Sequence, residues 1–116
     1  MLNEESCSAC RVGAPLVEGV ELSELLEKIP EWQLDCFGSE NQLVRVFPCR
    51  DFVSAMDFTQ RVAAIAEQQG HHPSLLTEWG RVTVRWWTHK IKGLHRNDFV
   101  MASKTNEVWK DMQDKA

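Results

Sequence analysis

The alternation of apolar and polar residues in the first half of the chain predicts one helix and two short strands. Apolar positions recur at the spacing of one helical face over residues 22–29, and Pro30 ends this segment. Residues 32–36 and 43–47 then alternate with the period of two that is typical of half-buried strands. Because turn-forming residues occupy positions 38–41 between them, the two strands are predicted to form an antiparallel hairpin.

A long amphipathic helix is the clearest pattern in the sequence. Asp51 is a suitable N-cap, and Gly70 is a natural C-terminal stop. The predicted apolar face between them consists of Phe52, Ala55, Met56, Thr59, Val62, Ala63 and Ala66, widened by Phe58 and Ile65.

A second hairpin and a last helix complete the chain. Residues 75–79 and 81–89 are predicted strands on either side of Gly80, and the final helix is predicted to begin near Asn97. One face of the longer strand is predicted to carry Val82, Val84, Trp86 and Thr88, and the apolar stripe of the helix Met101, Thr105, Val108 and Met112, with Ala102 and Trp109 beside it.

The order helix, two strands, helix, two strands, helix predicts an α+β fold in two layers. A four-stranded antiparallel sheet is expected, with the helices packed on one face. Since the edges of such a sheet lack cover, we expect the protein to self-associate. Residues 1–17 are interpreted as a flexible N-terminal tail, and residues 18–116 as a single domain.

Composition excludes several classes of function. The formal net charge is −4 with 13 basic and 17 acidic residues, so binding to nucleic acid through phosphate neutralisation is not expected. The N-terminus is acidic and polar, and no apolar run approaches the roughly 20 residues needed to span a bilayer. We therefore expect no membrane partner and a cytoplasmic protein with reduced thiols.

The four cysteines allow two interpretations. Cys7 and Cys10 form a CxxC, which suits half of a zinc site or a redox pair. The other half is missing, because Cys36 and Cys49 stand 13 positions apart. We interpret all four as unpaired thiols.

All four histidines lie between Glu67 and Asp98: His71, His72, His89 and His95. Histidine has an unperturbed pKa of about 6.5, which suits proton transfer near neutral pH. If the strands pair about Gly80, then His71 and His72 reach the same end of the sheet as His89. Trp79 would then lie at the far turn.

Three imidazoles at one corner are compatible either with a metal site or with acid–base chemistry. Neighbouring residues in extended backbone point apart, so His71 and His72 rarely bind the same ion. No carboxylate or thiolate ligand adds to them at a standard spacing. We therefore favour acid–base chemistry over a metal site.

These residues follow one another in the order Glu67-x3-His71-His72-Pro73-x5-Trp79-x9-His89-x8-Asp98. This order resembles the signature of the pterin-4a-carbinolamine dehydratases, and the similarity extends from about Leu22 to Trp109. It includes Trp32-x-Leu34, the Phe52–Phe58 helix face and the Gly93-Leu94 turn.

The resemblance implies a hydro-lyase that removes water from 4a-hydroxytetrahydropterin, a by-product of the aromatic amino-acid hydroxylases, and yields quinonoid dihydropterin. It implies a pterin substrate, no cofactor, and a dimer or tetramer of the α+β fold predicted above. His71, His72 and His89 would be the catalytic histidines, and we hypothesise that His72 is the principal acid/base. The candidates for substrate binding are Glu67, Pro73, Trp79 and Asp98.

Several of these roles have an alternative. Asp98 is also suited to stabilising the first turn of a helix, which is the interpretation we favour. Glu67 is either an orienting partner or a solvated acid, and Trp79 is more simply explained by packing. Members of the family commonly carry Ser or Thr three residues before the aspartate, as part of a capping box, where this chain has His95. We expect a weaker cap there and leave His95 out of the site.

A second hypothesis comes from another class of function. In animals a member of the family also binds a transcription factor, and bacterial relatives are linked to expression of the hydroxylase. The chain would then be a protein-binding regulator, with Met101, Val108 and Met112 on its interface. The same residues suit a homotetramer, which we favour, because a pure binding module has no need of three histidines.

Overall fold

The computed structural model describes residues 2–5, 16–37 and 40–114. Its helices are α1 (Gly19–Glu27), α2 (Phe52–Gln69) and α3 (Arg96–Asp114). Its strands are β1 (Gln33–Phe37), β2 (Glu40–Pro48), β3 (Ser74–Glu78) and β4 (Arg81–Trp86). Short 3-10 helices occupy Leu2–Glu4 and His89–Ile91.

The four strands form one antiparallel sheet in the order β1-β2-β4-β3. Both predicted hairpins form, although β2 begins at Glu40, inside the turn predicted at residues 38–41. The central contact pairs β2 with β4, where Leu43 lies opposite Trp86. The last strand was predicted to reach His89 but ends at Trp86. Beyond it, backbone hydrogen bonds between Thr88 and Gly93 close a tight turn, which draws His89 out of the extended conformation.

The helices cover one face of the sheet, and this α+β arrangement confirms the predicted fold class. Val82, Val84 and Trp86 are fully buried beneath them. The opposite face is partly open to solvent, since Val46 and Leu76 are 52% and 56% exposed.

Helix α2 begins and ends as predicted. The carboxylate of Asp51 accepts a hydrogen bond from the backbone N–H of Ser54 at 2.8 Å, and Gly70 ends the helix in the left-handed conformation at φ 64°. Its buried line differs from the predicted one and runs through Ala55, Phe58, Val62 and Ala66. Phe52 and Met56 lie at the margin of this line and are 46% and 36% exposed, so their predicted place in the core is wrong.

The start of the chain packs against α3. Lys104 donates to the backbone carbonyl of Asn3, and Arg96 forms a two-bond ion pair with Glu5. Leu2 is buried. Residues 6–15, which include the CxxC, lie outside the described residues, and the boundary at residue 17 stays a prediction. Over the ranges that the structure describes, no helix is long and apolar enough to cross a membrane.

Candidate active site

The end of α2 places two histidines at a corner of the sheet. The backbone N–H of His71 still bonds to the carbonyl of Ala66, after which the chain leaves the helix through Gly70. Strand β3 begins at Ser74, which lies opposite Arg85 near the end of β4. His71 and His72 therefore lie at the end of the sheet where β4 finishes and the His89 turn begins.

The His71 ring is held by one ring stack and one hydrogen bond. Its ring is stacked on the indole of Trp86, with centroids 5.7 Å apart and planes 8° from parallel. Its Nε2 atom lies 2.6 Å from Oδ1 of Asp98. The residue is only 8% exposed, so its imidazole has one orientation relative to the sheet.

Asp98 is fully buried and accepts three hydrogen bonds. Its Oδ1 faces His71, and its Oδ2 accepts from the hydroxyl of Thr88 at 2.8 Å and from the backbone N–H of His95 at 2.9 Å. The expected place of Asp98 in the first turn of α3 is found. Because the carboxylate is covered, it reaches a ligand only through His71.

His72 is paired with a second carboxylate. Its Nε2 atom lies 2.9 Å from Oε1 of Glu67, one helical turn earlier. The two side chains are 61% and 78% exposed, so solvent screens the pair, which contributes at most about 1 kcal/mol to stability. Of the two roles considered for Glu67, the contact matches that of a partner that orients His72.

His89 begins the 3-10 turn that follows β4. Its ring is stacked on Trp87 with centroids 4.4 Å apart and an interplanar angle of 29°. The bridge between Thr88 and Gly93 closes the turn, with the N–H of Thr88 2.8 Å from the carbonyl of Gly93. Sequence reasoning missed Trp87 and Thr88 as site residues; the signal was their position directly before His89.

Pro73 and Trp79 have different relations to the corner. Pro73 is half-buried and directly follows His72. Trp79 lies at the β3–β4 turn, and the five residues of β3 separate it from Pro73 by about 20 Å of extended chain. Its side chain is 73% exposed. Within one chain, Trp79 therefore neither packs into the core nor joins the histidines.

His95 occupies the N-cap position of α3. Its Nδ1 atom accepts a hydrogen bond from the backbone N–H of Asn97 at 3.0 Å. A weaker cap was expected here, but the His95 side chain does cap the helix, for a geometric reason. One atom separates Nδ1 from Cβ, as one atom separates Oδ1 from Cβ in the N-cap residues Asn and Asp, so the ring reaches the same donors.

The thiols and the histidines form no ion site in the described ranges. No group of three or more His, Cys, Asp or Glu residues in residues 2–5, 16–37 and 40–114 is arranged to hold a metal. Neither Cys36 nor Cys49 is in a disulfide. Burial, with a smaller contribution from the Asp51 carboxylate, raises the pKa of the Cys49 thiol, which keeps it in the neutral form.

Comparison with known proteins decides the family. The profile of the family described as "Pterin 4 alpha carbinolamine dehydratase" matches residues 15–108. The chain belongs to this family. A relative from Marinobacter nauticus, provisionally named pterin-4-alpha-carbinolamine dehydratase, is 55% identical over 93% of this chain and 97% of its own. One from Syntrophotalea carbinolica with the same provisional name is 51% identical over 92% and 96%.

Two solved structures share the fold of this dehydratase-family chain. A transcriptional coactivator/pterin dehydratase from Brucella melitensis superposes with a TM-score of 0.73 at 30% identity, over 81% of this chain and 98% of its own. A pterin dehydratase-like protein identified as a RuBisCO assembly factor in the alpha-carboxysome gives 0.58 at 18% identity, over 68% and 89%, and shows the fold alone. The predicted family, its hydro-lyase class and the fold are thus confirmed.

Proposed function

We propose that this protein removes water from 4a-hydroxytetrahydropterin by acid–base catalysis at the corner formed by His71, His72 and His89. The observation that carries the proposal is that two of these imidazoles each face a carboxylate at one end of the sheet, His71 with Asp98 and His72 with Glu67. Family membership supplies the class of substrate.

The reaction needs an acid and a base. The C4a–O bond breaks, and the oxygen leaves as water after it accepts a proton, because hydroxide is a poor leaving group. N5 loses its proton, and the electron pair of that N–H bond forms the N5–C4a double bond. No oxidant or reductant enters the balance.

The carboxylates define which nitrogen of each imidazole is available. An ionised carboxylate only accepts hydrogen bonds, so Nε2 of His71 and of His72 carries the proton towards Asp98 and Glu67. This leaves Nδ1 of each ring to give or take the proton of the substrate. A negative partner also stabilises the imidazolium that forms when Nδ1 accepts a proton.

The three histidines differ in solvent exposure, and we assign their proposed roles on that basis. His72 and His89 are accessible from solvent, whereas His71 is buried between Trp86 and Asp98. We assign the principal proton transfer to His72, and to His89 and His71 a share in proton transfer and contact with the flat pterin ring.

The test measures dehydration of freshly prepared 4a-hydroxytetrahydropterin through its ultraviolet absorbance. The wild-type protein is compared with His72→Ala. Loss of this imidazole is expected to lower kcat by at least about 100-fold. The matched control is Arg61→Ala, an exposed substitution away from the corner, which should leave turnover unchanged. Full turnover by His72→Ala would refute the assignment, and inactive wild-type protein would refute the function.

The physiological setting extends the proposal. A pterin dehydrated here is the by-product of aromatic amino-acid hydroxylases, so one of these enzymes is the expected source of substrate.

We also propose a homodimer or homotetramer, because the outer edges of β1 and β3 have no neighbouring strand in the described sheet. Sedimentation equilibrium gives the subunit number directly.

A protein-binding regulator is the second candidate, favoured by the likeness to the Brucella melitensis protein, which is called a transcriptional coactivator as well as a pterin dehydratase. The interface predicted on α3 is wrong, because Met101 is fully buried and Met112 packs on the core. Exposed apolar side chains lie instead on α2, at Phe52, Val53 and Met56. If regulation is the function, Val53→Asp should abolish it and His72→Ala should not.

A further inference from the structure

We propose that His95 is a positioning residue for the reaction: its neutral imidazole caps α3, and this cap holds Asp98 and therefore His71 in the orientation that catalysis requires. The inference rests on the proposed dehydratase function. It concerns a residue that does not touch the substrate and acts through two others.

The first step is the cap itself. Nδ1 of His95 accepts the N–H of Asn97, and the N–H of Asp98 bonds to the carbonyl of His95 at 2.9 Å. In return, Oδ2 of Asp98 accepts the N–H of His95. The two residues thus close the first turn of α3 in both directions, as a capping box does, with an imidazole in place of a hydroxyl.

The His95 cap also constrains the carboxylate of Asp98. Two donors hold Oδ2 of Asp98, namely the backbone of His95 and the hydroxyl of Thr88. Because both are engaged, Oδ1 remains directed at Nε2 of His71. If the first turn of α3 opens, the His95 N–H moves away and one of the two constraints on the carboxylate is lost.

The orientation of the His71 ring is tightly constrained. His71 is buried and stacked on Trp86, so its ring cannot follow a displaced carboxylate without losing that stack. Small displacements of a catalytic group lower the rate more than they lower stability, since reacting atoms must meet within tenths of an ångström. Loss of the His95 cap is therefore expected to lower kcat and to leave KM nearly unchanged.

The experiment compares His95→Ala, His95→Ser and Asp51→Ala with the wild type. Alanine removes the acceptor, serine replaces it with a hydroxyl that caps equally well, and Asp51→Ala removes the matching cap of α2 at the far end of the sheet. We expect kcat of His95→Ala to fall by about 10- to 100-fold with KM nearly unchanged. His95→Ser should recover most of the loss, and Asp51→Ala should keep kcat although it lowers the unfolding midpoint.

An NMR readout separates this inference from the proposed reaction. The Nε2–H proton of His71, bonded to a buried carboxylate, should give a downfield resonance in the wild type and in His95→Ser. In His95→Ala it should shift or broaden. If no dehydratase activity is found at all, the resonance still tests the link from His95 to His71.

Three outcomes would overturn the proposal: wild-type kcat and an unchanged His71 resonance in His95→Ala, failure of serine to restore the loss, or an equal fall of kcat in Asp51→Ala. If His95→Ala does not fold, His95→Gly replaces it, because glycine is tolerated at an N-cap yet offers no side-chain acceptor. His95→Gly should then show the fall in kcat expected of His95→Ala, and wild-type kcat with an unchanged His71 resonance would overturn the proposal.

Discussion

The Nε2 atom of His71 and the Oδ1 atom of Asp98 lie 2.6 Å apart, although 27 positions of the chain separate the two residues. One follows α2 and the other lies in the first turn of α3, so their contact joins both helices to the corner of the sheet. The buried carboxylate fixes the orientation of the ring, and we propose that the other ring nitrogen takes part in proton transfer.

Substitution of Asp98 by asparagine should affect both activity and stability. Asparagine has one acceptor oxygen for three donors, so at least one buried donor loses its partner, at a cost of about 1–3 kcal/mol. We expect kcat to fall by about 100-fold or more, because the imidazolium of His71 loses its counter-ion. Urea unfolding and turnover measure the two effects. Asp57→Asn, an exposed carboxylate on α2, is the control and should change neither.

Removal of the Trp87 ring should release His89. The stack between the two rings is worth about 0.5–1.5 kcal/mol beyond buried area, so Trp87→Ala allows the imidazole other orientations. We expect about a tenfold fall in kcat/KM. Trp87→Phe keeps a flat ring and should retain most of the activity; a phenylalanine variant as impaired as the alanine variant would contradict the stacking role.

Gly70→Ala should destabilise the corner through the backbone. Gly70 has a φ of 64°, and a Cβ atom added there would meet nothing within 4 Å, so the cost is conformational and not steric. The free energy of unfolding should fall by about 1 kcal/mol, measured in urea. Gly70→Asn should lose less, since asparagine tolerates the left-handed region better than alanine.

The charge of Asp51 should give the protein a pH-dependent contribution to stability. Hydrogen bonds from Ser54 hold the pKa of Asp51 below its usual 3.8 in the folded state. Its contribution is therefore complete above pH 3.8 and is lost as pH falls through the lower folded value. We expect Asp51→Asn to be less stable than wild type at pH 7 and equally stable in strong acid, by urea unfolding at each pH. A difference that grows on acidification would contradict the assignment.

The thiol of Cys49 should react slowly with iodoacetamide in the folded protein. Burial raises its pKa, and the thiolate is the reactive species. At pH 8 the rate should therefore rise when the protein is unfolded in urea, as followed by mass spectrometry of the peptide that contains Cys49. Equal rates in both states would show that the thiol is not protected.

The boundaries of the elements were accessible from the sequence because they depend on near neighbours. Asp51 and Gly70 mark the ends of α2 through local hydrogen bonding and backbone freedom, so both ends can be identified without coordinates. The alternation of Val82, Val84 and Trp86 likewise identified the buried face of β4. Where the pattern was ambiguous, as at Phe52 and Met56, the packing of α2 on the sheet decided which side is buried.

The order of the histidines and their family were determined by the sequence alone, since spacing along the chain needs no coordinates. Only the tertiary structure decided which carboxylates His71 and His72 face, that Trp79 is exposed, and that His95 caps α3. The reason is physical: a hydrogen bond depends on distance in space. The residues that share Asp98 lie just after α2, just after β4 and just before α3, and burial of the common core fixes how these elements approach one another.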